Sequence, residues 1–348
     1  MSRWKQRPPG SNWGDFGADD QRGRMNWVTR EKVLQGIAEV KEGITFCCSL
    51  PLDYPGGQVL NPRRAPPRLA ATQRDGRQFF CRPLYEFNES LTDVICDDQV
   101  LMSLQYSTQW DSFAHVGGRF DADGDGKPEL VFYNGFRAGE DVVPAKENPA
   151  GEPWTRFEGT AAKALGIERL AEHGVQGRGV LVDLHHHFGR RRHAVGYDDL
   201  MRVLEADKVE VEKGDMVCLY TGFADVLLEM RRQPDPQLVN NTCTGLDGRD
   251  AKLLRWISDS GLACLAADNY AVELITASLT DPLPRGSAWL PLHEHCLFKN
   301  GIHLGELFYF TELARWLRAH RRSRFLFTAP PLRLPGAVGS PATPIATV

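Results

Sequence analysis

Three runs constrain the fold most: residues 179–184 (GVLVDL), 215–220 (DMVCLY) and 261–267 (GLACLAA) are nearly unbroken apolar stretches. Such short runs bounded by Gly or Asp read as strands buried on both faces. They alternate with helical apolar patterns at 160–173, 197–206 and 249–260. Strand–helix alternation of this kind predicts an α/β fold. Another helix is expected after Thr29 as N-cap, stopping at Gly43, and a last one over 310–321. The ends read differently. Residues 1–28 are rich in Gly, Pro and Asp and read as an extended arm; 330–348 reads as an extended tail. The Pro/Gly/Arg-rich stretch 51–76 reads as a long surface loop, a type often used as a lid or dimer arm. No internal repeat interrupts the chain, and a single domain over 1–348 is expected.

Bulk properties exclude several functional classes. A net charge of −4 and 25% charged residues leave no basic footprint for nucleic acid or an anionic membrane surface. No stretch approaches the roughly 18 consecutive apolar residues of a membrane helix, and the N-terminus lacks a signal-peptide core. Eight cysteines form no C-x-x-C motif and no paired framework, which predicts a reduced, cytoplasmic protein. The sequence holds no G-x-S-x-G elbow, Walker loop, strand-borne G-x-G-x-x-G or H-E-x-x-H. No organic cofactor is expected, and the partner of interest is a small-molecule substrate.

The segment 105–115, QYSTQWDSFAH, carries the densest chemistry. It lacks a helical period and reads as a strand passing into a loop. Residues two apart on a strand share a face, so Gln105, Gln109 and Asp111 would project together, with His115 returning from the same face further on. One carboxylate, two amide oxygens and one imidazole around one point suit a hydrolytic site. Trp110 and Phe113 are candidates for an apolar substrate wall, and Tyr133 and Asn134 for further pocket lining; core packing is the competing reading for the aromatics.

This segment resembles the hallmark of the cyclase or kynurenine-formamidase-like family of metal-dependent hydrolases, H-x-G-T-H-x-D-x-P-x-H. Thr108, Asp111 and His115 match; Gln105 and Gln109 stand where the family has two ligand histidines, and Ser107 and Phe113 replace its Gly and Pro. The opening SNWGDFG (11–17) and DQRGRMN (20–26), KGDMVCLYTGF (213–223), HEHCLFKNGIHLGE (293–306) and the close PLRLPG (331–336) with GSPATPIA (339–346) are similar to the longer members. The resemblance therefore spans nearly the whole chain. It implies a swivelling β/β/α cyclase-like fold, a homodimer or homotetramer, and a general acid/base role for His115.

By the same resemblance, His293 and Glu306 join Asp111, with Gln105 and Gln109, as ligands to one divalent cation; His295 is the alternative to His293. Replacing two imidazoles by amide oxygens shifts the expected preference from Zn²⁺ toward Mn²⁺, Mg²⁺ or Ca²⁺. The implied activity is hydrolysis of a C–N or C–O bond in a small cyclic amide, lactone or N-acyl aromatic compound. A metal-free cyclase or dehydratase using His115, or a catalytically degenerate ligand-binding member, remains open. Other polar clusters are weaker signals. Residues 121–129 (DADGDGKPE) match the first half of a calcium loop, but Phe132 stands at the position of its bidentate Glu. His185, His186 and His187 read as a strand end, with His193 and the Arg190–Arg192 run nearby. Asp268 and Asn269 follow the third apolar run.

Overall fold

The computed structural model describes residues 3–149 and 156–348. Its central sheet holds nine strands: β1 (Thr45–Cys47), β2 (Gln109–Asp111), β3 (Gln176–Asp183), β4 (Met216–Tyr220), β5 (Cys264–Ala267), β6 (His303–Glu306), β7 (Arg324–Thr328), β8 (Gly339–Pro341) and β9 (Ile345–Thr347). Their order across the sheet is β1-β9-β7-β3-β4-β5-β6-β2-β8. The four middle strands, β3 to β6, run parallel, and antiparallel strands flank them on both sides. The three apolar runs are β3, β4 and β5, as the alternation predicts.

Helices cover both faces, which is why those strands are apolar throughout. From α1 (Arg30–Ala38), α2 (Glu168–His173), α3 (Tyr197–Asp207), α4 (Ala251–Asp259) and α5 (Thr311–Ala319) the cover divides cleanly. Leu200 and Val203 of α3 and Leu253 and Ile257 of α4 pack with Val180, Val217 and Leu265 on one face. Leu170 of α2 and Leu313 and Leu317 of α5 pack with Leu181, Cys218 and Ala266 on the other. Helix α1 starts at Thr29, whose side chain accepts from the Lys32 amide, and lies directly on β3. A β-carbon on Gly36 would come within 2.6 Å of the Gly177 backbone, so only glycine permits that approach.

Several expectations are corrected. The helix predicted over 160–173 forms only as α2; Leu165 takes a left-handed conformation, and Ala161–Ala162 pairs as a short strand with Val142–Val143. His185–His187 do not end a strand. They lie in a short helix, Leu184–Phe188, capped by Asp183, whose carboxylate accepts from the His186 amide. The N-terminal arm is pinned to the body: the Trp13 indole donates to the Phe298 carbonyl at 2.7 Å, and Arg24 donates to the Ile257 carbonyl at 2.8 Å. The extended tail supplies two strands of the sheet, β8 and β9. Stretch 51–76 is exposed around Leu69, but its first half turns inward, burying Tyr54 and Asn61. Beyond it, residues 68–101 form short hairpins that leave Leu69, Tyr85, Phe87, Val94 and Val100 exposed. Among the described residues no helix is long and apolar enough to cross a membrane.

One buried charge network ties these layers together. Asp215, fully buried at the head of β4, accepts from Lys32 of α1 at 3.0 Å and from Arg178 of β3 at 2.8 and 3.1 Å. The Glu212 amide donates to the same carboxylate at 2.8 Å, and the Glu212 side chain holds Arg178 at 2.7 Å. Removing one member of a buried ion cluster leaves its partners uncompensated, at a cost of about 3–5 kcal/mol. Asp215→Ala is therefore expected to lower unfolding free energy by about that amount. Urea denaturation checks this; a loss of less than about 1 kcal/mol, the value of an exposed pair, would contradict it.

Candidate active site

The site is built where β2 inserts between β6 and β8. Antiparallel register sets Gln109 opposite Glu306 and Asp111 opposite Leu304, so Gln109, Asp111 and Glu306 share a face. The Gln109 amide donates to Glu306 Oε2 at 3.2 Å. His293 arrives from a third direction, on the single α-turn Pro291–His293 that continues into a π-helix over Glu294–Lys299. Such π-turns are rare and often occur at functional sites. His293 Nε2 lies 3.1 Å from Glu306 Oε1 and 4.0 Å from Asp111 Oδ2. His115, in the loop after β2, places Nε2 3.9 Å from Asp111 Oδ1. Its side chain is 22% exposed, whereas Asp111, His293 and Glu306 are buried.

Packing acids together in a dry space sets their proton affinities apart. Burial, then the charge of Glu306, pushes the Asp111 carboxyl up to about 8, against the pull of His293 and Arg64. Burial alone would depress His293, but hydrogen bonds to Glu273 and Glu306 outweigh it and lift the imidazole to about 10. Glu306 is held below the usual carboxylate range although burial opposes this, because His293 bonds it. His115 is shifted down, by burial first and then by the charge of His293. Without a metal, these shifts favour the protonated form of His293, which bridges Glu273 and Glu306, and the protonated form of Asp111.

The donor set also fits a divalent cation. Asp111, His293 and Glu306 each offer a ligand atom, all within 4.8 Å of one another. Both Asp111 carboxyl oxygens and Gln109 Oε1 are buried with no hydrogen-bond partner, an expensive condition for polar atoms unless something else satisfies them. Glu273 completes the arrangement. Its Oε1 lies 2.8 Å from His293 Nδ1 and also accepts the His293 amide at 3.1 Å, while Oε2 accepts the Leu292 amide at 3.1 Å. A carboxylate that accepts a hydrogen bond from Nδ1–H leaves Nε2 as the ligand nitrogen, the usual outer support of a metal-binding histidine.

Gln105 lies in a turn before β2 rather than on it, but its side chain lies over Gly339, the residue paired with Asp111. The other sequence candidates are placed elsewhere. Trp110 is fully buried on the opposite face, packed edge-on against Phe308 with its indole donating to the Ala329 carbonyl. Phe113 is sandwiched between His303 and Tyr133. Tyr133 is itself fully buried, and Asn134 donates to the Gly17 and Asp20 carbonyls and accepts from the Gly14 amide. These four side chains are spent on packing and on pinning the N-terminal arm. His295 bonds Ser258 at 2.9 Å, away from the cluster. In the Asp121 loop the carboxylates accept the loop's own amides, and Arg137 pairs with Glu129 and Asp123. Asp268 accepts from Thr221 and Gly222, tying the ends of β4 and β5. His187 and His193 pair with Asp207 and Asp199.

Three residues escaped the sequence reading. Glu273 sits in an unremarkable apolar stretch, NYAVELI, with no motif to mark it. Arg64 comes from the Pro/Arg-rich loop; its guanidinium donates to the Gln105 carbonyl at 2.7 Å and lies 4.0 Å from Glu306. His303 is buried on β6, 2.9 Å by Nδ1 from the Asp111 carbonyl; an isolated histidine in a strand run was its one available signal.

The sequence matches the family model described as "Putative cyclase" over residues 49–274. The chain belongs to this family. Across 97% of both chains it superposes on the crystal structure of a novel cyclase, at 30% identity and a TM-score of 0.71. Isatin hydrolase A from Labrenzia aggregata, bound to benzyl benzoate, and isatin hydrolase A from Ralstonia solanacearum share the fold at 12% identity and a TM-score of 0.52. Each of those comparisons covers 91% of this chain and 97% of the other. A search of curated proteins found no match. The cyclase-like fold implied by the resemblance is therefore the observed one, with parallel strands in the middle of the sheet and antiparallel strands at both edges.

Proposed function

We propose that this cyclase-family protein is a hydrolase that opens a C–N or C–O bond in a small cyclic amide, lactone or N-acyl aromatic compound. The observation that carries the reading is the pair of unpartnered Asp111 oxygens facing both His115 and His293. Asp111, His293 Nε2 and Glu306 would hold a divalent cation, with Gln109 Oε1 beside them. Oxygen-rich donors with one imidazole suit Mn²⁺, Mg²⁺ or Ca²⁺, with Zn²⁺ also able to occupy such a set. The ion, when bound, supplies Lewis-acid polarisation of a carbonyl and a more acidic water. Glu273 keeps the proton on Nδ1 of His293 and so fixes the ring. His115, the partly exposed member, accepts the proton of the attacking water and returns it to the leaving nitrogen or oxygen. Arg64 offsets the negative charge of Glu306.

A metal-free variant of the reading has one observation in its favour: His293 already closes a hydrogen-bonded chain from Glu273 to Glu306. In that case His115 alone moves the proton in a cyclisation or dehydration, or the pocket only binds. We infer further that the protein works in the cytoplasm, where eight cysteines without a disulfide framework stay reduced. We also infer a homodimer or homotetramer whose interface includes the apolar side chains left exposed over residues 68–101.

Elemental analysis of untagged protein, purified without nickel resin because of the His185–His187 run, is expected to give near-stoichiometric divalent metal. Asp111→Ala should lose at least about tenfold in occupancy, equivalent to about 1.4 kcal/mol; a folded wild-type protein without metal would favour the metal-free variant. With a panel of lactones, cyclic amides and formanilides, His115→Ala is expected to lower kcat by about 10²–10⁴-fold, the usual worth of a general base, with substrate binding retained. No turnover of any panel member by wild type would count against an enzyme. Light scattering should report a dimer or tetramer, and a monomer at micromolar concentration would refute the interface.

A further inference from the structure

Beyond the C-terminal ends of β4 and β5 lies a cavity of about 540 Å³ whose lining includes none of Gln109, Asp111, His115, His293 or Glu306. It adjoins the candidate active site: Glu273 in its wall holds His293 from the other side, and Tyr270 in the same wall lies beneath the Arg64 guanidinium, 5.7 Å from the ring centroid. Phe223 and Trp289 give it an apolar, aromatic floor. Two polar side chains set into that lining are unusual. Thr244 is 1% exposed and Asn269 4% exposed, and Thr244 Oγ1 and Asn269 Oδ1 have no hydrogen-bond partner. The amide orientation of Asn269 is fixed, because its Nδ2 donates to the Thr244 carbonyl at 3.1 Å and the Val272 carbonyl at 3.3 Å. Its Oδ1 is therefore an acceptor awaiting a donor, and the neighbouring threonine hydroxyl is a donor awaiting an acceptor. Polar atoms buried and left unpaired in this way are rare in folded proteins. At the exposed mouth stand Arg63 and Arg192. Arg192 is braced by donating to the Asn240 and Ile275 carbonyls at 2.9 Å each, which fixes its charge in place.

We propose that this cavity is a second binding site, next to the reacting cluster but lined by neither Asp111 nor His115, for an anionic secondary amide with an apolar body, the chemistry of an N-acyl α-amino acid. The ligand N–H pairs with Asn269 Oδ1, and its carbonyl accepts from the Thr244 hydroxyl. Its side chain rests on Phe223 and Trp289, and its carboxylate faces Arg63 and Arg192. Adjacent donor and acceptor, an apolar surface and a cationic rim each match one part of that molecule. A neutral hydrocarbon would leave both buried polar atoms unsatisfied, and a polyphosphate would leave the aromatic floor uncovered.

The test is a calorimetric titration of full-length protein with N-acetyl-L-phenylalanine, followed in parallel by tryptophan fluorescence. Saturable one-site binding is expected, weakened about tenfold in Thr244→Val, which keeps the shape and removes the hydroxyl. The loss corresponds to about one buried hydrogen bond. The surface variant Arg63→Gln should weaken binding several-fold, as should replacing the ligand carboxylate by a primary amide. Asp111→Asn should bind as wild type does, since Asp111 does not line the cavity. Absence of binding at millimolar probe overturns the proposal. So does equal affinity for the charged and amidated probes, or loss of binding in Asp111→Asn, which would put the probe in the reacting cluster.

Discussion

Placement of the three-residue strand Gln109–Asp111 between two antiparallel neighbours is the constraint on which the site depends. Hydrogen bonding to β6 on one side and β8 on the other fixes the register, and a slip of one residue would turn Asp111 to the face occupied by Trp110. That alternative is blocked twice. Trp110 fills its own face against Phe308 and donates to the Ala329 carbonyl, while Gln109 is matched to Glu306 across the ladder. The strand's neighbours thus select which side chains enter the site before any electrostatics operate.

Electrostatics then decide what those side chains can do. Burying Asp111, Glu306 and Glu273 around one histidine would be prohibitive if all were charged and the histidine neutral. The shifts favour a compromise in which a cationic His293 is held between Glu273 and Glu306 and Asp111 retains its proton. A divalent ion would satisfy the same need in another way, by replacing protons with positive charge. Glu273 serves both states, because the proton on Nδ1 of His293 faces it in either. The balance also explains why Arg64 reaches in from a loop to within 4.0 Å of Glu306.

Much of this was legible in the sequence where local pattern and global fold agree. The apolar runs that become β3, β4 and β5 are buried on both faces, so their composition announces them. Asp111 and Gln109 stood in a stretch whose spacing matched a known family's hallmark, and His293 and Glu306 in one that resembled its late His…Glu pair. What stayed hidden is non-local. Nothing near Glu273 or Arg64 in the sequence hints that each will lie against the cluster, because their role exists only once distant segments meet. Tyr133 and Asn134 erred in the opposite direction: proximity in sequence to His115 suggested pocket lining, but the N-terminal arm lies over them. The predicted helix over 160–173 failed for a local reason, the left-handed turn at Leu165, which apolar spacing does not reveal.

The sheet order carries a consequence for how the protein is made. His303 and Asp111 meet across 192 residues of chain, and Gly339 closes the other edge of the same short strand. Contacts of such sequence separation form late and slowly. On the ribosome, Asp111 would wait for almost the entire chain to emerge before it found either neighbour, whereas β3, β4 and β5 could pair as they appeared. Asp111 is therefore among the last residues to acquire its native surroundings, and its buried charge cluster forms on a scaffold already in place.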